Sequence, residues 1–158
     1  NKKVHIINLS VAGADNKVLR RIFQKALQQK LVMVAAGGNW GRADKPAFPA
    51  AYKGVIAVTA ISDQGLIYSK ANTGTYIDFA APGVRVYTAA PGGGGRLQSG
   101  TSFATPFITA LMGLEIAKGN AKTSLALGAL LKKNVKDLGL PGRDEIFGWG
   151  FARRKPNC

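Results

Sequence analysis

Gly100-Thr101-Ser102-Phe103-Ala104-Thr105-Pro106 is the segment from which the rest of this chain is best understood. A glycine-rich run, residues 91–95, precedes it, and an apolar pattern typical of a helix, residues 103–116, follows it. Ser102 is therefore predicted to lie where a loop becomes a helix, at the end where backbone N–H groups are unpaired and the dipole is positive. A hydroxyl at that position suits a nucleophile whose reaction creates an oxyanion.

Two other interpretations of the same segment stay open on the local pattern alone. A Ser or Thr before a helix is usually an N-cap, which only satisfies helix N–H groups. Residues 95–102 also differ by one residue from a phosphate-binding P-loop, but Thr101 stands where Lys would reach the outer phosphates. The segment is not the nucleophile elbow of α/β-hydrolases, because Ala104 stands where that motif has Gly.

The surrounding elements alternate between strand-like and helix-like patterns. Strands are predicted at residues 4–9, 31–36, 55–61, 83–89 and 146–151, and helices at 102–118 and 121–133. Another helix is predicted after Asp15 as its N-cap, with an apolar face made of Val18, Leu19, Ile22, Phe23, Ala26 and Leu27. On the helix that starts at Ser102, the face predicted to pack holds Phe107, Ala110, Leu111 and Leu114. Strand, helix and strand at this spacing predict crossover connections and a parallel α/β sheet.

A second segment supports the nucleophile interpretation of Ser102. The predicted strand 31–36 runs into Gly37, Gly38 and Asn39, where Asn39 taken alone could be only a left-handed turn residue. Residues 35–39, Ala-Ala-Gly-Gly-Asn, resemble the oxyanion-hole segment of the subtilisin-like serine peptidases (subtilases), and residues 100–106 resemble their serine motif. The resemblance continues in the family's order at residues 7–10, 48–52, 55–58, 78–84, 142–144 and 148–150.

The resemblance implies a fold, an activity and a set of site residues. It implies the three-layer, parallel-sheet subtilisin-like fold, of which this chain would be the C-terminal portion. Ser102 would attack the peptide carbonyl and form an acyl-enzyme, while its own N–H and the Asn39 side chain would stabilise the oxyanion. The residues expected to bind a peptide or protein substrate are Ser10, Val11, Ala12, Gly13, Ala36, Gly37, Gly38 and Thr101.

The family's general base and its orienting carboxylate have no match in this sequence. The family places that His in a His-Gly-Thr-type motif and the Asp in Asp-[Ser/Thr]-Gly, whereas the one histidine here, His5, lies inside a predicted strand. His5 is interpreted as a satisfied structural residue, and Asp78 as a structural carboxylate. An N-terminal segment supplying Asp and His is therefore the expected partner. The alternative is a non-catalytic, peptide-binding subtilase-like module, which Ala12 and Phe107 would permit because the family has other residues there.

Composition limits the remaining classes of function. Of 158 residues, 46% are apolar and 19% charged, so one globular domain, 1–158, is expected, and no apolar run is long enough to span a membrane. The net charge of +14 would suit nucleic acid or an acidic partner, but the basic residues are scattered, so nucleic acid is not favoured. A phosphate- or nucleic-acid-binding α/β domain is the third hypothesis. No metal or other cofactor is expected, Cys158 is interpreted as a bystander, and the resemblance implies a secreted or periplasmic protein.

Overall fold

The computed structural model describes residues 4–153, and Cys158 lies outside them. Within that range the elements follow one another as β1 (Ile6–Leu9), α1 (Lys17–Gln28), β2 (Val32–Ala36), β3 (Ile56–Ile61), β4 (Phe79–Pro82), β5 (Val86–Ala89), β6 (Gly95–Gln98), α2 (Thr101–Ala117), α3 (Ser124–Lys132), β7 (Val135–Lys136) and β8 (Phe151–Ala152). The predicted strands and helices are present with boundaries shifted by a few residues, except that the strand predicted at 146–151 overlaps β8 at Phe151 alone. The sequence patterns did not predict β6 or β7.

The main sheet has the strand order β1-β2-β3-β4-β8-β7. Every neighbouring pair is parallel except β7 and β8, which are antiparallel. The helix α1 connects the adjacent parallel strands β1 and β2, as the strand–helix–strand spacing predicts. The strand β1 lies at one edge of the sheet and β7 at the other.

Side chains of the buried strand β2 point alternately into two separate cores. Val32 and Val34 pack with residues of α2 and α3, whereas Met33 and Ala35 pack with residues of α1 and of the loop after β2. Because successive side chains of a strand face opposite sides, these two clusters lie on opposite faces of the sheet. The protein therefore has three layers, α1, sheet and α2–α3, which confirms the predicted parallel-sheet α/β fold.

The helix α1 differs from its prediction at its start and on its apolar face. Asn16, not Asp15, is the N-cap, because the Asn16 Oδ1 accepts hydrogen bonds from the N–H groups of Val18 and Leu19. On the face predicted to cover the sheet, only the C-terminal part packs, with Phe23, Ala26 and Leu27 against the core. Val18 and Ile22 are 66% and 57% exposed, and Leu19 is exposed as well.

The helix α2 buries a different face from the predicted one. The buried residues are Thr101, Ala104, Thr105, Ile108 and Met112. Phe107 and Leu114, predicted to pack, are 42% and 44% exposed. Ala110 is exposed too, and Leu111 is only partly buried. The prediction was wrong because α2 is apolar around most of its circumference, so that the spacing of apolar residues does not identify the face that meets the sheet.

The glycine-rich run forms the turn of a separate hairpin. The strand predicted at residues 83–89 is β5, which pairs antiparallel with β6 in a two-stranded sheet outside the main one. Gly92, Gly93 and Gly94 all have positive φ angles, which only glycine adopts readily, and they connect the two strands. The strand predicted at 146–151 is limited to β8, and β7 lies between α3 and the turn at residues 140–142.

Candidate active site

Ser102 is the second residue of α2 and lies beside the segment that follows β1. The Ser102 Oγ donates a hydrogen bond of 3.2 Å to the Ser10 carbonyl oxygen. The Ser10 Oγ in turn donates a bond of 2.8 Å to the Ser102 carbonyl oxygen. These reciprocal bonds join the end of the edge strand to the start of α2. They also give the Ser102 hydroxyl an acceptor that cannot take up its proton, since a backbone carbonyl is not a base at neutral pH.

The side-chain carbonyl oxygen of Asn39 holds this residue against Thr101, the first residue of α2. The Asn39 Oδ1 accepts hydrogen bonds from the Thr101 N–H at 2.9 Å and from the Thr101 Oγ1 at 3.0 Å. The Thr101 Oγ1 also accepts a bond of 3.2 Å from the Gly38 N–H. Thr101 is wholly buried, so this arrangement is fixed by packing. With Oδ1 occupied, the amide group of Asn39 leaves its Nδ2 available as a donor.

Two donors at this helix start have no acceptor among residues 4–153. They are the Ser102 backbone N–H and the Asn39 Nδ2. The Ser102 N–H belongs to the N-terminal end of α2, and the Asn39 side chain lies against that end, where the helix dipole is positive and favours negative charge. Unpartnered donors placed in this way can stabilise an oxyanion that forms on a carbon attacked by the Ser102 hydroxyl.

The segment Ser10 to Gly13 offers a free backbone edge. Gly13 exchanges two hydrogen bonds with Phe48, at 2.8 and 3.0 Å, which anchors the end of the segment. Within the described part of the chain, the backbone N–H and C=O groups of Val11 and Ala12 have no hydrogen-bond partner, and both residues are exposed. An extended peptide can pair with such an edge as an added strand.

The other predicted binding segment, Ala36 to Gly38, is buried and closely surrounded. At Gly37, an added Cβ would lie 2.9 Å from the Ile77 side chain and 3.0 Å from the Val58 carbonyl oxygen. Gly38 has a φ of +104°, which favours glycine. The two glycines therefore allow the chain to turn from β2 towards Asn39 with no space for larger side chains.

An apolar cavity adjoins the free backbone edge. It has a volume of about 340 Å³, and its lining includes Val11, Leu19, Phe23 and Phe48. The wall contains few polar atoms, so the cavity suits an apolar side chain rather than a charged one.

The two other titratable residues singled out in the sequence lie away from Ser102. His5 is at the opposite end of β1, roughly 15 Å along the chain from Ser10, and its side chain is exposed. No residue among 4–153 hydrogen-bonds to the His5 side chain, and the interpretation of His5 as a satisfied structural histidine stays a prediction.

Asp78 connects three parts of the fold. Its carboxylate accepts hydrogen bonds from the Ala57 N–H at 2.9 Å and from Arg143 at 3.1 Å. Burial raises the pKa of Asp78, while the Ala57 N–H and the Arg143 guanidinium oppose that effect. The arrangement is that of a carboxylate with a structural role, as the sequence predicts.

Two residues that sequence reasoning missed contact the segment around Asn39. The Tyr76 hydroxyl donates a bond of 2.6 Å to the Gly37 carbonyl oxygen, and burial raises the pKa of Tyr76. Asn72 is wholly buried and bonds to Gly38, Trp40 and Lys45. No local pattern marks either residue, because each acts on positions about thirty or more residues away in the sequence.

Metal binding and membrane insertion have no supporting feature in the described range. Within residues 4–153 no three His, Cys, Asp or Glu side chains are grouped so as to hold a metal ion. Of the helices in that range, none combines the length and apolar character needed to cross a bilayer.

The three-layer fold is that of the subtilisin-like class of proteins. Comparison with protein families agrees, because the Subtilase family matches residues 1–150, and the chain belongs to this family. It is 35% identical over 154 residues to the minor extracellular protease Epr of Bacillus subtilis (strain 168), covering 97% of this chain and 24% of that protein.

Solved structures of proteases share the same fold. The self-cleaved protease domain of PatA is 30% identical with a TM-score of 0.78, and the match covers 94% of this chain and 58% of that one. The prenylagaramide maturation protease PagA is 26% identical with a TM-score of 0.79, over 94% and 59% of the two chains. The present chain thus spans about a quarter of the length of Epr and under two thirds of these two protease chains.

Proposed function

We propose that this chain carries the nucleophile and oxyanion hole of a subtilisin-like serine endopeptidase, and that a segment N-terminal to it supplies the catalytic Asp and His. The observation that carries the proposal is the pair of unpartnered donors, the Ser102 N–H and the Asn39 Nδ2, at the start of α2 beside the Ser102 hydroxyl. Membership of the subtilase family supports the same conclusion.

The reaction assigned to these groups is acyl transfer. The Ser102 Oγ attacks the carbonyl carbon of the scissile peptide bond and gives its proton to the general base. The Ser102 N–H and the Asn39 Nδ2 stabilise the oxyanion, after which the C–N bond breaks and the amine leaves with that proton. Water then attacks the ester at Ser102 by the same steps, which frees the acid product and restores the hydroxyl.

A base from another segment is required because Ser102 hydrogen-bonds only to a backbone carbonyl. A serine hydroxyl is a weak nucleophile until a neighbouring base accepts its proton. Among residues 4–153 the hydroxyl donates to the Ser10 carbonyl, and the His5 side chain lies at the far end of β1. In the proposed complete protein, a histidine would replace the Ser10 carbonyl as the acceptor of this proton.

Apolar surface around β1 supports the place proposed for the missing segment. The edge strand β1 pairs with β2 alone in the sheet of the described residues. On one side of this sheet α2 exposes Phe107 and Leu114, and on the other side α1 exposes Val18 and Ile22. Large apolar side chains exposed on both sides of an open edge indicate a surface that another segment covers. A strand added beside β1, with helices above and below it, would cover all three features.

The substrate we propose is an extended peptide or protein segment. Its backbone would pair with the free groups of Val11 and Ala12, and an apolar side chain would enter the cavity next to Leu19 and Phe23. The Ala12 methyl group leaves less space for the peptide backbone at this edge than a glycine would. We also propose a secreted or periplasmic location, since the relative Epr is an extracellular protease by name.

Covalent labelling of Ser102 tests the proposal. A fluorophosphonate probe should modify Ser102 in the full-length protein, should not modify the Ser102→Ala variant, and should not modify residues 1–158 alone. Asn39→Ala in the full-length protein should lower kcat by about 10²–10³, the range measured for the corresponding donor of subtilisin. A full-length protein that binds peptides but neither hydrolyses them nor reacts with the probe would instead be the non-catalytic module.

A further inference from the structure

We infer that Asn72 is a positioning residue for the oxyanion hole, holding the backbone on both sides of Asn39. The inference rests on the proposed function, because it assigns Asn72 an effect on catalysis that is exerted through Asn39. Asn72 lies in the loop between β3 and β4, outside every segment that would touch the substrate.

Three hydrogen bonds connect Asn72 to the loop that contains Asn39, two of them to the neighbours of Asn39. The Asn72 backbone N–H donates to the Gly38 carbonyl oxygen at 3.0 Å. The Asn72 Oδ1 accepts from the Trp40 N–H at 2.8 Å, and the Nδ2 donates to the Lys45 carbonyl oxygen at 3.1 Å. Gly38 and Trp40 are the two neighbours of Asn39 in the chain, so both flanks of the oxyanion residue are fixed by one side chain and its own backbone.

The side chain at this position must both accept and donate. The Trp40 N–H can only donate and the Lys45 C=O can only accept, which also settles the orientation of the Asn72 amide. Aspartate would keep the acceptor for Trp40 and lose the donor for Lys45, and leucine would lose both while keeping a similar volume. Asn72 is wholly buried, so any group left without a partner there would also be shielded from water.

Asn72 packs closely against the backbone at Gly38. Gly38 has a φ of +104°, and a Cβ added there would lie 2.7 Å from the Asn72 Nδ2. A shift of Asn72 therefore moves Gly38, and Asn39 with it. Thr101 holds the Asn39 side chain from the other direction, so Asn72 sets the backbone and Thr101 the amide orientation.

The expected catalytic effect follows from displacement of the Asn39 donor. Misplacing a catalytic group by about 1 Å can cost about a hundredfold in rate, and losing an oxyanion donor altogether costs about 10²–10³. Asn72→Leu should therefore lower kcat by about 10- to 100-fold, with KM changed by less than about threefold. Asn72→Asp should have an intermediate effect, since it retains the acceptor for the Trp40 N–H.

A double-mutant cycle in the full-length protein separates positioning from a merely structural role. Asn72→Leu should have almost no further effect on kcat once Asn39→Ala is present, because the group it positions is gone. Thr59→Val is the matched control, since Thr59 is also wholly buried and its hydroxyl has no hydrogen-bond partner within residues 4–153. An equal loss of kcat from Asn72→Leu in both backgrounds, or an equal loss from Thr59→Val, would overturn the inference.

Hydrogen exchange tests the same contacts without turnover. In the full-length Ser102→Ala protein, Asn72→Leu should speed exchange of the Trp40 amide by at least about tenfold, while amides of β2 and β3 keep their protection. Asn72→Asp keeps the acceptor and should speed exchange of the Trp40 amide less. If the leucine variant does not fold, the exchange measurement is made on Asn72→Asp instead. If the unmodified full-length protein neither hydrolyses peptides nor reacts with the probe, the proposed function fails and this exchange result decides on Asn72. Unchanged exchange at Trp40 would overturn the inference in either case.

Discussion

Replacing Thr101 by valine tests the hydrogen-bond network behind the oxyanion site. The substitution keeps the size and β-branching of the side chain and removes only its hydroxyl. That hydroxyl donates to the Asn39 Oδ1 at 3.0 Å and accepts from the Gly38 N–H at 3.2 Å. The Asn39 oxygen keeps its second bond, from the Thr101 N–H, whereas the Gly38 N–H is left buried without an acceptor.

The magnitude follows from these two unequal losses. A neutral hydrogen bond contributes about 0.5–1.5 kcal/mol net, and a buried donor left without a partner costs about 1–3 kcal/mol. We expect Thr101→Val to lower the free energy of unfolding by about 2–4 kcal/mol in total. Thr105→Val is the matched control, because Thr105 is equally buried in α2 and its hydroxyl only donates to the Thr101 carbonyl oxygen at 2.7 Å. That variant should lose about 0.5–1.5 kcal/mol.

Urea unfolding of the two variants, followed by tryptophan fluorescence, measures the difference. With a slope of about 1–3 kcal/mol per molar urea, Thr101→Val should unfold at a midpoint roughly 1 M lower than Thr105→Val. Equal midpoints for the two variants, with equal slopes, would refute the claim that the Thr101 hydroxyl satisfies Gly38. The interpretation of Asn39 as an amide oriented by Thr101 would then lose its main support.

Two further predictions concern Asp78 and the exposed surface of α2. Burial raises the pKa of Asp78 in the folded protein, so its contribution to stability is full below the unfolded pKa of about 4 and is lost as the pH rises through the folded pKa. The native protein should therefore melt at a higher temperature than Asp78→Asn by a margin that is larger at pH 4 than at pH 7. A larger margin at pH 7 would show that the ion pair with Arg143 outweighs the effect of burial. Residues 1–158 alone should self-associate through the exposed Phe107 and Leu114 side chains. In sedimentation velocity, the double variant Phe107→Gln, Leu114→Gln should associate less than the unsubstituted chain. An unsubstituted chain that sediments as a monomer would contradict the prediction.

The site around Ser102 shows how far local sequence information reaches. A glycine-rich run, a small polar residue and an apolar helical pattern are contiguous, and their conformational preferences act within a few residues of one another. The start of α2 and the position of Ser102 could therefore be predicted within one residue. The turn from β2 into Asn39 was predictable for the same reason, since an apolar strand followed by two glycines is a local signal.

Helix faces were harder to predict because they depend on what lies next to them. In α2 the apolar residues surround most of the helix, and the sheet selected the face of Ile108 and Met112 instead of that of Phe107 and Leu114. The N-cap of α1 was predicted one residue too early, at Asp15 instead of Asn16, because two adjacent residues suit that position. Asp15 and Asn16 are both good caps, and the Tyr52 hydroxyl, which donates to the Asp15 carboxylate, contacts both residues.

The sequence by itself determined the order of the strands and helices except β6 and β7, the parallel α/β class, the family, and the candidates Ser102 and Asn39. Only the tertiary structure decided that Ser10 and Thr101 bond to these two residues and that Asn72 holds the turn around Asn39. The physical reason is separation along the chain. Periodicity and capping act between residues a few positions apart, whereas Asn72 reaches Gly38 and Trp40 only because β2, β3 and the loop after β3 pack side by side.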